Sequence, residues 1–116
     1  MDEKKKETPL VLRYEDGRVY TLEFSRDTVA LAGDLGFKRS EILNNEMKQI
    51  PILFFAAFKM HHPEMTQPET DKILFEDLGG MTEAISDRLI ALYTEPYNDL
   101  FNETGEVKNP KLTVVL

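Results

Sequence analysis

Residues 50–60 read Ile50-Pro-Ile-Leu-Phe-Phe-Ala-Ala-Phe-Lys-Met60, apolar throughout except for Lys59, and lead into His61-His62-Pro63. A helix that is apolar on all sides is either buried among neighbours or holds a face for another molecule. At 11 residues the run is too short to cross a bilayer, which needs about 20. The chain is therefore built around one greasy helix, and its function turns on whether the rest of the fold covers that helix. The helix is expected to begin near Met47, with Pro51 in its first turn, where a missing N–H costs little. Pro63 ends it, because the residue before a proline leaves the helical region.

Working toward the N-terminus, Leu10–Tyr14 and Arg18–Phe24 read as two strands around Glu15-Asp16-Gly17. A two-residue loop would set Leu10 and Leu12 against Glu23 and Thr21. A three-residue loop with Gly17 left-handed sets them against Leu22 and Tyr20, and only that register keeps one face apolar. Ser25 is a good N-cap for a helix carrying Val29, Leu31, Ala32 and Leu35, with Asp27 in its first turn. Gly36 suits its C-terminal stop, and Phe37 the hydrophobic contact beyond it. A short turn starts at Ser40.

Working toward the C-terminus, Thr66-Gln67-Pro68-Glu69 is a capping box for a helix carrying Ile73, Leu74, Phe75 and Leu78, which Gly79-Gly80 ends. Thr82 caps a last helix with the stripe Ile85, Leu89, Leu92, Tyr93, Tyr97, Leu100 and Phe101. Pro96 removes its bond to the Leu92 carbonyl, so a kink or break is expected there. Thr104-Gly105 closes that element. The fold class is α+β, an N-terminal β-hairpin packed on a bundle of about four α-helices. The expected organisation is a flexible segment over 1–8, a single domain over 9–104 and a tail over 105–116. Three placements are open to the strand-like run Lys111–Leu116: an added edge strand on the hairpin, a dock on a neighbour, or none.

The 116 residues suit one domain. With no cysteine, disulfides, thiolate metal sites and cysteine nucleophiles drop out, which suits a reducing compartment. No apolar secretory segment follows Met1, so a cytoplasmic protein is expected. The net charge of −7 is unevenly placed: residues 64–108 hold 11 acidic and 3 basic side chains, while residues 1–63 balance. Such a surface repels phosphate backbones, and nucleic acid is not an expected partner. The acidic face is readable as plain solvation or as steering of a basic protein.

Catalytic chemistry is sparse. No glycine-rich phosphate loop follows a strand. Ser25, Ser40 and Ser86 read as helix-start or helix-surface residues. His61 and His62 point about 100° apart on a helix and lack the four-residue spacing of helical zinc ligands. They are better read as polar groups at a helix C-terminus, one of them bonding an orphan carbonyl of the last turn. Glu76, Asp77 and Asp71 read as a solvated face. No enzyme, no cofactor and no metal are expected. On the central helix, Lys48, Ile52, Phe55 and Lys59 share a stripe, whereas Pro51, Phe54 and Phe58 face the core. Ile52, Phe55 and Lys59 are thus the candidate partner-binding residues if exposed, although burial preference favours Ile52 and Phe55 as core.

The segments Tyr20–Val29 (YTLEFSRDTV), Gly36-Phe37, Phe54–Pro63 (FFAAFKMHHP) and Thr70–Leu74 (TDKIL) together resemble the small tail assembly chaperones of long-tailed phages and prophages of Gram-positive bacteria. The resemblance covers about residues 10–103, and the phenylalanine-rich helix ending in His-His-Pro is its most specific part. It implies a protein that coats the tape measure protein and keeps it soluble while the major tail protein polymerises around it. It further implies self-association along that client, residence in the host cytoplasm and absence from the mature virion. A structural adaptor or tail-completion protein that stays in the particle is the other reading.

Overall fold

In a computed structural model, which describes residues 7–102 and 104–116, two short strands are followed by four helices. Strands β1 (Leu10–Arg13) and β2 (Val19–Leu22) pair antiparallel with Leu10 opposite Leu22 and Leu12 opposite Tyr20. That is the register of the three-residue turn. Gly17 takes a φ of 97°, a left-handed geometry that costs a residue with a Cβ.

Helix α1 (Arg26–Asp34) opens on Ser25, whose side chain accepts from the Thr28 N–H. It closes in a Schellman arrangement: the Phe37 N–H donates to the Ala32 carbonyl at 2.8 Å and the Gly36 N–H to that of Gly33 at 3.0 Å. Gly36 has a φ of 101° and Phe37 folds back into the core. After a 3₁₀ turn at Arg39–Glu41 comes α2 (Glu46–Lys59). Because α2 begins at Glu46, Pro51 stands inside the helix and not in its first turn, a correction to the sequence reading. The lost hydrogen bond is offset by packing, since Pro51 is itself buried.

Helix α3 (Gln67–Lys72) opens on the Thr66–Glu69 capping box and runs on into a π turn over Ile73–Asp77. There the Leu78 N–H reaches back five residues to the Ile73 carbonyl, at 2.8 Å. Ile73 and Leu74 are buried, while Phe75 is exposed. Helix α4 (Glu83–Asn98) starts at Thr82 and passes through Pro96 without a break, ending two residues later. The break expected at Pro96 does not occur. The helix does not extend to Thr104.

One core joins these elements, with α2 at its centre in contact with α1, α3, α4, β2 and the 3₁₀ turn. Leu53, Phe54, Ala56, Ala57 and Phe58 are fully buried. Phe58 meets Tyr20 and Phe54 edge-on, with ring centroids 5.5 and 5.0 Å apart. Polar clamps fix the periphery. The buried Gln49 accepts from the Lys38 N–H at 2.7 Å and donates to the Gly36 carbonyl at 3.2 Å, holding the α1–α2 loop on α2. The Tyr14 hydroxyl donates to Asp77, tying the hairpin to the π turn.

The two ends of the chain differ in how they are held. Residues 1–6 of the segment expected to be flexible lie outside the described residues, but Glu7 and Thr8 are held. The Glu7 N–H donates to Glu95, and Arg88 donates to the Thr8 carbonyl at 3.2 Å. Of the three placements open to Lys111–Leu116, the added edge strand is not taken: among the described residues the sheet has two strands. The tail projects instead, and the radius of gyration is 16.6 Å, against about 13 Å for a compact chain of this length.

Candidate functional site

The three candidate residues on α2 do not form an open binding face. Ile52 is 6% exposed and belongs to the core. Phe55 is half-buried, and the Lys59 ammonium sits 5.4 Å from its ring centroid. That ammonium donates to the carbonyls of Pro63 and Met65, so Lys59 fastens the α2–α3 loop. The stripe rule placed these side chains together correctly. It could not show that Lys59 would be taken up by the carbonyls of the loop that follows.

The two histidines serve structure too, though by a route the sequence did not suggest. Neither caps an orphan carbonyl of the α2 terminus. The Thr21 N–H donates to Nε2 of His62 at 3.0 Å, and His61 Nε2 lies 2.8 Å from Glu23 Oε1. The Glu23 N–H also donates to the Ala57 carbonyl at 3.0 Å. His-His thus locks strand β2 onto the end of α2. Among the described residues, no three His, Asp or Glu side chains come together as a metal site would require. No described helix is long and apolar enough to cross a membrane.

Apolar surface lies open elsewhere. The stripe of α4 is buried through Leu89, Leu92 and Tyr93, then runs past its cover: Tyr97 is 41% exposed, Leu100 76% and Phe101 58%. Phe24 and Phe37 pack edge-on to Tyr93, with centroids 5.5 and 5.0 Å away. Tyr93 stacks on Tyr97 at 5.9 Å, and Tyr97 meets Phe101 at 5.8 Å. Spacing of four residues, along α4 for Tyr93 and Tyr97 and into the turn beyond it for Phe101, makes this a ladder of rings that climbs from core to solvent. Burial pushes the Tyr93 hydroxyl above its ordinary range, with neighbouring Tyr97 adding to it and Arg39 opposing.

Beside the ladder runs a groove of about 600 Å³ between α1 and α4. Its floor is Val29, Ala30 and Gly33 from α1, Tyr93, Pro96 and Tyr97 from α4, and Leu100 from the turn beyond it. Short side chains on α1 leave the gap, since Ala30 and Gly33 cannot reach across it. Pro96 contributes a flat apolar wall. The rim carries both charges: Arg26 and Asp99 flank the groove, Glu95, Asp27 and Glu23 line the adjoining depression, and Lys38 and Arg39 stand beyond Tyr97. Such a site suits the apolar face of a helix with polar flanks. Residues Tyr97, Leu100 and Phe101 were visible in the sequence as a stripe. What could have flagged them is that the elements able to cover that stripe run out before it ends.

The family described as a domain of unknown function (DUF5055) matches residues 6–116, nearly the whole chain. No curated protein and no solved structure matches it.

Proposed function

The chain belongs to the DUF5055 family, and we propose that it acts as a tail assembly chaperone, a non-enzymatic binding protein that holds apolar helical segments of the tape measure protein in the α1/α4 groove. The observation that carries this reading is the exposed aromatic ladder, Tyr97 and Phe101 with Leu100, beside an open apolar groove. Apolar anchors recurring every three or four residues on a client helix fit such a groove. The resemblance of Tyr20–Val29, Phe54–Pro63 and Thr70–Leu74 to the phage chaperones supplies the client's identity. The acidic balance of residues 64–108 supports steering and release more than tight retention. On this reading the protein works in the host cytoplasm and leaves before the virion matures.

The test is co-expression with tape measure protein. Wild type is expected to keep the client soluble, and Tyr97→Asp with Leu100→Asp to lose it while the circular dichroism spectrum is unchanged. Soluble client with the double variant would remove the groove from the mechanism. Mass spectrometry of purified virions separates the chaperone from an adaptor: a chain retained in the particle favours the adaptor.

A further inference from the structure

The hairpin has two outer edges, and they are covered unequally. Along β2 and the residue after it the outward N–H groups belong to Val19, Thr21 and Glu23, and the last two are taken up by His62 and by the Ala57 carbonyl. Alternation along the paired strands then points the N–H groups of Val11 and Arg13 outward from β1. Among the described residues no acceptor reaches either of them. Both residues are exposed, Val11 at 47%. An open strand edge is a template for another strand. The same chain carries such a strand: Leu112, Thr113, Val114, Val115 and Leu116 are rich in β-branched residues and exposed, and beyond Leu112, whose N–H donates to the Asn109 carbonyl, no backbone hydrogen bond engages them among the described residues.

We infer that residues 112–116 of one copy add antiparallel to the β1 edge of a second copy. One register satisfies every side chain. Thr113 lies opposite Arg13 and Val115 opposite Val11, so these two pairs exchange the ladder bonds that β1 leaves open. Leu112, Val114 and Leu116 then fall on the inward face beside Tyr14, Leu12 and Leu10. Val115 covers the exposed Val11. Lys111 comes to Glu15, which is exposed and has no ionic partner among the described residues. Sliding the strand by two residues sets Lys111 against Arg13, a like-charge pair that disfavours that register. The strand comes from another copy because the tail projects from its own domain, in a molecule 53 Å long and 27 Å thin. The two surfaces are different patches, so the contact is head-to-tail and builds rings or chains of copies. It uses the sheet edge and not the groove, and so stands apart from the client reading.

The cysteine-free sequence gives a clean test. Cα atoms of a hydrogen-bonded antiparallel pair lie about 5.5 Å apart, within disulfide reach. Mixing the single variants Arg13→Cys and Thr113→Cys under mild oxidation is expected to give a covalent dimer of the two different chains. Arg13→Cys mixed with Lys111→Cys is two residues out of register and is expected to give little. Light scattering of the wild-type chain is expected to show a mass rising with concentration above 13.4 kDa. Thr113→Pro, outside the core, removes one ladder N–H and is expected to raise the association concentration about tenfold. A wild-type chain that stays monomeric, or an Arg13→Cys/Thr113→Cys double variant that closes its disulfide within one molecule, overturns the inference.

Discussion

Helix α2 and the end of α4 are both stripes of large apolar side chains, yet α2 is sealed and the end of α4 is open. The difference lies in neighbours and not in composition. Helix α2 is surrounded by α1, α3, α4, β2 and the 3₁₀ turn. Helix α4 has partners as far as Tyr93, where Phe24 and Phe37 pack on the ring, and from Tyr97 onward it faces solvent. The most hydrophobic segment of this chain is thus its best-covered one, and open apolar surface is left where a stripe outlasts its cover.

The largest expected effect sharpens the α2 side. Phe58→Ala empties a fully buried site at the meeting of Phe54, Tyr20 and His62, and denaturant unfolding is expected to show a loss of about 3–5 kcal/mol. Gln49→Ala keeps the apolar centre but strands the Lys38 N–H and the Gly36 carbonyl, with an expected loss of about 1–3 kcal/mol in the same assay. If Gln49→Ala proved neutral, the loop would not depend on α2.

Smaller effects come from the surface. Tyr14→Phe removes the bond to Asp77 and is expected to cost at most about 1 kcal/mol. Partial burial and then the Asp77 carboxylate push the Tyr14 hydroxyl up to about 12. The fold therefore favours the protonated phenol. That contribution is complete below the ordinary tyrosine value of about 10 and is lost as pH rises through about 12. Spectrophotometric titration is expected to show a late tyrosine that Tyr14→Phe abolishes. At the open end of α4, Leu100→Ser is expected to change stability by less than about 0.5 kcal/mol, although a buried leucine such as Leu89 would cost several. A large loss at Leu100 would break the comparison, since it would show that this surface is covered after all.

Local chemistry made much of the fold legible. The hairpin register followed from keeping Leu10, Leu12, Tyr20 and Leu22 on one face. Ser25, Thr66 and Thr82 announced their helices by capping chemistry, and Gly36-Phe37 announced a stop. Long-range events were not legible. Nothing local says that Lys59 will be spent on loop carbonyls, that His62 will accept from a strand, or that α3 will widen into a π turn at Ile73. The covering of the candidate residues on α2 was not legible for the same reason. The periodicity of α2 told which side chains share a stripe, and the covering of that stripe depends on segments far away in sequence. For α4 the stripe was read correctly, but its openness beyond Tyr93 needed the positions of α1 and Phe37.

On the proposed function, the working surface lies at the uncovered end of α4 and not on α2. Its most direct test is the soluble fraction of tape measure protein co-expressed with either Phe55→Asp or Tyr97→Asp/Leu100→Asp, each variant shown to be folded. The account predicts that folded Phe55→Asp still holds the client in solution and that the α4 variant lets it precipitate. Precipitation with Phe55→Asp and full solubility with the α4 variant would contradict it.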